Sequence, residues 1–173
     1  MRSKYLFLLN IILLPALLSP SAALAILPIQ HWQTSTGARV YFVQNRDIPM
    51  LDLSIDFAAG AGFDRLDKPG VASMTNRILQ RGAEGMNEDE IAQKTADVGA
   101  GISGRFDSDR AGLSMRTLSS RVEREQALDV FTRMLHKPLF PQEAFDREKT
   151  RLLGALKESD IQPGTIASVT FNR

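Results

Sequence analysis

Residues 51–57 have the sequence Leu51-Asp52-Leu53-Ser54-Ile55-Asp56-Phe57. Apolar and polar side chains alternate strictly along this segment, so in an extended chain the apolar ones share one face and the polar ones the other. A period of two is typical of a strand that buries one face. Gly60 and Gly62 follow closely, and they predict that the strand ends there.

Further strands are predicted on both sides of this segment. Before it, residues 31–34 and 38–43 are β-rich runs separated by a turn that contains Gly37, which is the pattern of a hairpin. After it, residues 101–105 and 111–118 flank a turn that begins at Asp107. We therefore expect the strands to be grouped in antiparallel hairpins.

Two helices are predicted between these strands. Val71, Met74 and Ile78 recur at the spacing of one helix face, so the first helix is expected to bury that face. Asn87 followed by Glu90 is a capping pattern, and it predicts that a second helix begins there.

Two more helices are predicted after the last strand. Ser120 can cap the third, and Pro141 is suited to the first position of the fourth. Pro163 should end the fourth helix, and another begins after it. The inward stripe expected in the fourth helix consists of Phe145, Leu152 and Leu156.

This order of elements predicts an α+β fold with a mostly antiparallel sheet covered by helices on one face. The chain ends at Arg173 without a turn, a cap or a polar tail. We therefore expect residues 26–173 to be one incomplete domain of a truncated chain.

The amino-terminal 25 residues have the pattern of a secretory signal peptide. Arg2 and Lys4 precede an apolar run over residues 5–18, and a small-residue site ends at Ala25. The alternative is a membrane anchor, but Pro15 interrupts the run, which is also shorter than the roughly 20 residues of a comfortable span. We predict cleavage after Ala25. A secreted chain without cysteine suits a bacterial periplasm.

Composition excludes several kinds of site. The 21 basic and 20 acidic residues give a net charge of +1, which provides no strong field for nucleic acid. With no cysteine, a disulfide framework, a cysteine zinc site and a cysteine nucleophile are excluded. His31 and His136 are the two histidines, too few for a multi-histidine metal cage. The glycines of residues 99–104 fit a dinucleotide-binding pattern by letter, but they follow a helix and enter a strand, the reverse of what nucleotide binding requires.

Several blocks resemble a known family when taken in order. Residues 36–41, 53–62 and 70–83 resemble the N-terminal domain of the insulinase/pitrilysin-type metallopeptidases, the inverzincins, whose helix carries H-x-x-E-H. Residues 145–149 resemble the start of the long helix that bears the third zinc ligand of that family, a glutamate. The resemblance extends over nearly all of residues 26–173.

The resemblance fails at the residues that carry the family's chemistry. Ser73 falls at the first histidine, Asn76 at the catalytic glutamate, Arg77 at the second histidine and Ala155 at the third ligand. In this family zinc needs two neutral imidazoles and a carboxylate as ligands, and the reaction needs a general base. These four residues provide neither the ligands nor the base. The resemblance therefore implies a zinc-free, non-catalytic member with no cofactor.

In that family, active and inactive chains often pair around a peptide-binding chamber. The resemblance thus implies a periplasmic subunit that helps an active zinc peptidase subunit hold unfolded peptides, with no nucleic-acid partner and no membrane association after cleavage. Two alternatives remain open. The chain could be a stand-alone periplasmic peptide-binding protein or an inert fragment of a homologue, or it could be an independent enzyme of another kind.

Overall fold

The computed structural model describes residues 28–171, which divide into two compact units after Asp47. The predicted signal peptide and its cleavage after Ala25 lie outside the described residues. Within the described part, no helix is both long and apolar enough to cross a membrane.

The first unit contains the predicted hairpin. Strand β1 (Ile29–Gln33) pairs antiparallel with β2 (Arg39–Val43). The turn between them places Gly37 at φ +90°, a left-handed conformation that favours glycine. Gln33 Nε2 donates a hydrogen bond of 3.1 Å to the Gly37 carbonyl, which fixes the turn to the strand before it.

The second unit is built on a three-stranded antiparallel sheet. Strand β3 (Met50–Phe57) lies next to β7 (Ala111–Leu118), and β7 lies next to β6 (Gly101–Phe106). The alternation predicted for residues 51–57 is confirmed, because Leu51, Leu53 and Ile55 are partly buried against the core. Phe57 continues this face at the end of the strand, yet its side chain is exposed.

Five α-helices, a short 3-10 helix (Ala61–Phe63) and a small ribbon complete the described part of this unit. The ribbon pairs β4 (Gly82–Ala83) with β5 (Met86–Asn87). The helices are α1 (Val71–Ile78), α2 (Glu88–Asp97), α3 (Arg121–His136), α4 (Gln142–Asp160) and α5 (Pro163–Phe171).

Helices α1, α2 and α3 cover one face of the sheet. Leu113 and Met115 on β7 lie in the core with Phe131 and Met134 of α3, and all four side chains are almost completely buried. The α+β fold with a covered antiparallel sheet is therefore confirmed.

Charged pairs cross the strands on the opposite face of the sheet. Arg116 donates two hydrogen bonds to Asp52, of 2.6 and 3.1 Å, and Arg105 Nε lies 3.1 Å from Asp56 Oδ1. The hydrogen bonds from Arg116 lower the pKa of the Asp52 carboxyl. Asp52 and Asp56 belong to the polar half of the alternation predicted for residues 51–57.

One predicted helix cap is confirmed and another is wrong. Asn87 Oδ1 accepts from the Glu90 amide at 2.9 Å, and Glu90 Oε2 accepts from the Asn87 amide at 2.8 Å, which is a complete capping box at α2. Ser120 precedes α3, but its hydroxyl donates to the Glu123 carboxylate instead of accepting from a helix amide. That hydrogen bond lowers the pKa of Glu123.

The inward stripe expected in the fourth helix is confirmed in part. Phe145 and Leu152 are half-buried, but Leu156 is exposed, and the fully buried side chains of α4 are Ala144 and Glu148. Glu148 can be buried because the guanidinium of Arg81, in the segment after α1, neutralises its carboxylate. Pro141 was predicted to be the first residue of this helix, but α4 begins at Gln142. Pro141 is therefore the residue just before the helix.

A buried hydroxyl on β7 provides a test of the core. The side chain of Thr117 is fully buried, and its Oγ1 has no hydrogen-bond partner among residues 28–171. Thr117→Val replaces an unsatisfied hydroxyl with a methyl of similar shape, so we expect the free energy of unfolding to rise by about 1 kcal/mol. Urea denaturation with an unchanged m-value measures the difference.

The matched control is Thr95→Val in α2, which removes a hydroxyl that donates to the Ile91 carbonyl at 2.8 Å. No gain is expected there. A loss of stability in Thr117→Val would contradict the unpaired state of its hydroxyl.

Candidate functional site

The candidate site lies around α1, whose first turn is capped from a distance. Gly70, the residue before the helix, has φ +91° and no side chain with which to cap it. Asp64 supplies the cap instead, accepting from the Gly70 amide at 2.8 Å and from the Ala72 amide at 2.9 Å. No local sequence pattern predicts this cap, because Asp64 lies six residues before Gly70, outside the span of a capping pattern.

Removal of this cap should weaken the helix. Asp64→Ala leaves the Gly70 and Ala72 amides without this acceptor, so we expect a loss of about 1 kcal/mol in the free energy of unfolding. Asp67→Ala is the matched control, since Asp67 pairs with Arg65 at the surface, and it should change stability by less than about 0.5 kcal/mol. Thermal unfolding of both variants measures the two changes in stability. Equal losses would contradict the capping role of Asp64.

Three of the four predicted site residues lie on α1. Ser73 and Arg77 are four residues apart and therefore share a face of the helix, where Ser73 is half-buried and Arg77 exposed. Asn76 is buried against the sheet. Its Nδ2 donates a hydrogen bond of 2.9 Å to the carbonyl oxygen of Gly112 on β7.

The fourth residue, Ala155, is exposed on α4. Helix α4 packs against α1. Ala155 follows Glu148 by seven residues, which is nearly two helical turns, so both lie on the same side of α4. The structure therefore brings the two helices together, although α4 carries no metal-binding atom at position 155.

The side chains at these four positions do not fit a zinc ion. The Arg77 guanidinium stays protonated, and the Ala155 methyl has no donor atom. The Asn76 amide nitrogen is already engaged with the sheet. In the part of the chain that the structure describes, no three His, Asp or Glu side chains come together as they would around a metal.

The two histidines lie in different units. His31 is in β1, where its ring stacks on Tyr41 with centroids 6.4 Å apart. His136 is the last residue of α3 and is exposed.

An ion-pair cluster joins the segment after α1 to the next helices. Arg81 Nη2 lies 2.9 Å from Oε1 of Glu148, whose side chain is 5% exposed. Arg81 also pairs with Glu88 at the start of α2, and Arg147 pairs with the same carboxylate. Glu148 lies near the start of α4. It is buried because Arg81 reaches it from 67 residues earlier in the chain.

An apolar cavity of about 310 Å³ opens beside α1. Its lining includes Asn76 and Gly112, the two residues joined by the hydrogen bond described above. The apolar side chains around it include Phe57, Phe63, Val71 and Leu79. The cavity is suited to an uncharged side chain, because its one carboxylate, that of Asp64, already accepts two helix amides.

The chain is similar to known peptidases over most of its length. Residues 39–171 match the model of the insulinase family, peptidase family M16. The crystal structure of the peptidase M16 inactive domain from Pseudomonas fluorescens is similar to it with a TM-score of 0.79 and 38% sequence identity. The match covers 84% of this chain and 35% of that one.

A protease from Helicobacter pylori has a TM-score of 0.70 at 13% identity, over 82% of this chain and 34% of that one, which shows a shared fold. The chain thus spans about a third of the length of these two structures. No curated protein matches it.

Proposed function

This chain belongs to the insulinase family, peptidase family M16, and we propose that it is a non-catalytic, zinc-free subunit of a peptidase pair. A second subunit of the same family would carry the zinc and cleave the peptide. The present chain would form part of the wall of the peptide-binding chamber. After removal of the signal peptide by cleavage following Ala25, the chain would work in the periplasm without contact to nucleic acid or membrane.

The buried amide of Asn76 carries this proposal. Asn76 takes the place of the family's general base, and an amide cannot accept a proton from water at neutral pH. Its nitrogen donates to the Gly112 carbonyl at 2.9 Å, so the side chain holds α1 on the sheet. The inactive M16 domain from Pseudomonas fluorescens, at 38% identity, supports the same conclusion.

The apolar cavity beside α1 supports a role in holding peptides. A volume of about 310 Å³ with mainly apolar walls is at the small end of the range for ligand pockets. It suits one hydrophobic side chain of an unfolded peptide. Because the cavity lies within this chain, it also favours the alternative of a stand-alone peptide-binding protein.

A cleavage assay separates the two functions. An unfolded fluorogenic peptide is incubated with this chain, with a zinc-bearing M16 subunit from the same organism, and with the mixture. A pair predicts no cleavage by this chain and faster cleavage by the mixture than by the zinc subunit. A stand-alone binding protein predicts peptide affinity in calorimetry with this chain by itself and no gain in the mixture. Cleavage by this chain without the zinc subunit would contradict both.

Partial restoration of the family motif should not create an enzyme. We expect the triple variant Ser73→His, Asn76→Glu, Arg77→His to show no peptide cleavage, because Ala155 leaves the zinc shell one ligand short. The Asn76→Glu change also sets a carboxylate against the Gly112 carbonyl, which removes a buried hydrogen bond and lowers stability by about 1–3 kcal/mol. The fluorogenic assay with added zinc and a urea titration measure the two effects. The single variant Arg77→His is the control, and robust cleavage by the triple variant would contradict the placement of the third ligand at Ala155.

A further inference from the structure

Two arginines on packed helices of the second unit have no partner. Arg77 on α1 and Arg151 on α4 are exposed, and neither side chain makes an ion pair or a hydrogen bond in the part of the chain that the structure describes. Every other arginine of this unit in that part pairs with a carboxylate or donates to a backbone carbonyl. The donor groups of these two guanidiniums are therefore available to a ligand.

The course of the chain brings the two arginines towards each other. Helix α4 packs against α1. Contacts between the two segments run in antiparallel order, from Ala83 with Pro138 to Gly82 with Pro141 and Arg81 with Glu148. About one helical turn beyond the last of these contacts lie Arg77 on one segment and Arg151 on the other. The two guanidiniums therefore belong to adjoining turns of two packed helices.

No acidic side chain within reach along either helix is free to pair with these arginines. On a helix, the residues three and four positions away are the neighbours of a side chain. For Arg77 they include no acid, and for Arg151 the one acid among them is Glu148, which is already bound to Arg81. Two cations on packed helices repel each other, and an anion bound between them relieves the repulsion.

The neighbouring side chains suit a carboxylate. Ser73, one turn before Arg77, is half-buried, and its hydroxyl has no hydrogen-bond partner among residues 28–171, so it can donate to an anion. Ala155, one turn after Arg151, has a methyl side chain that leaves room for a ligand. A guanidinium binds a carboxylate through two parallel hydrogen bonds, a geometry that the ammonium of lysine does not offer.

We propose that Arg77, Arg151 and Ser73 form a binding site for a carboxylate, at the place that the resemblance assigns to the metal ion. This chain would then bind an anion where an active member of the family binds a cation. The ligand is the carboxylate of a peptide, either its C-terminus or an acidic side chain. The site is a property of this chain alone, whereas its use on peptides rests on the proposed function.

Three small ligands test the site in an NMR titration of the full chain. N-acetylglycine represents the C-terminus of a peptide, N-acetylglutamic acid α-amide represents an acidic side chain, and N-acetylglycinamide is the uncharged control. Binding is followed through the Nε–Hε resonances of the arginines. Arg39 on β2 is the internal control, because it is a single exposed arginine without a partner in the described part of the first unit.

Three variants show which guanidiniums bind the ligand. Arg77→Gln and Arg151→Gln each remove one of the two proposed contacts. Arg121→Gln is the matched control, because it makes the same change of charge on α3, where the arginine pairs with Glu125. Thermal unfolding verifies that each variant is folded.

We expect at least one of the two carboxylate ligands to move the resonances of Arg77 and Arg151 with a common Kd, about fivefold lower than that at Arg39. The uncharged ligand should move neither resonance. Arg77→Gln and Arg151→Gln should each raise the Kd at the remaining arginine about fivefold, whereas Arg121→Gln should leave it unchanged.

Different Kd values at Arg77 and Arg151, or values equal to that at Arg39, would overturn the proposal. If Arg77→Gln does not fold, this comparison in the unaltered chain decides the outcome. Binding of a carboxylate ligand at both arginines, without faster cleavage by the mixture in the peptide assay, would support the site and contradict the proposed pair instead.

Discussion

Gly112→Ala is expected to lower the free energy of unfolding by about 3 kcal/mol, the upper end of the usual cost of overpacking. A Cβ at residue 112 would overlap the carbonyl oxygen of Ile55 and lie 3.0 Å from the Cα of Asp56. Both are backbone atoms of β3, which cannot rotate away as a side chain would. The Gly112 carbonyl also accepts a hydrogen bond from Asn76 on α1. A shift of β7 at this residue would therefore loosen α1 as well. Urea denaturation measures the loss.

Gly101→Ala on β6 is the matched control. It makes the same substitution in a neighbouring strand, where a Cβ would meet nothing within 4 Å. We expect its stability to change by less than about 0.5 kcal/mol. A comparable loss in the two variants would show that glycine at 112 is not required by the close approach of β3.

Arg81→Met is expected to cost about 3 kcal/mol, because it leaves the Glu148 carboxylate buried without its cation. The side chain of Glu148 is 5% exposed, and Arg81 Nη2 lies 2.9 Å from its Oε1. Methionine keeps much of the apolar stem of arginine, so the loss measures the charge more than the packing. Thermal and urea unfolding provide the free energy.

Two further variants identify the origin of this loss. Arg133→Met breaks the surface pair with Asp129, a pair of similar geometry at 3.0 Å, and should cost less than about 0.5 kcal/mol. The double variant Arg81→Met, Glu148→Met removes both buried charges and should recover most of the stability. If the double variant is as unstable as Arg81→Met, the cost does not come from an uncompensated carboxylate.

The features that the sequence predicted are those set by neighbouring residues. The alternation of β3 and the capping box at Asn87 each depend on residues within a few positions of one another, and both are confirmed. The antiparallel hairpin of β6 and β7 followed from two β-rich runs around the turn at Asp107. The amides of Asp109 and Arg110 donate to this carboxylate and lower its pKa.

The features that the sequence did not predict depend on contacts between distant segments. Asn76 meets Gly112 across 36 residues, and Arg81 meets Glu148 across 67. Helical periodicity cannot show that an asparagine or a glutamate is on the buried side when its partner is on another element. The family positions of Ser73 and Ala155 came from resemblance alone, and their role as lost zinc ligands stays a prediction.

Zinc content tests the central claim most directly. The purified chain is incubated with zinc, desalted and measured by elemental analysis, with a zinc-bearing M16 subunit treated in parallel. A member in which Ser73, Arg77 and Ala155 stand where the metal ligands belong should retain only traces of zinc, while the active subunit retains a stoichiometric amount. Stoichiometric zinc in this chain would contradict the account.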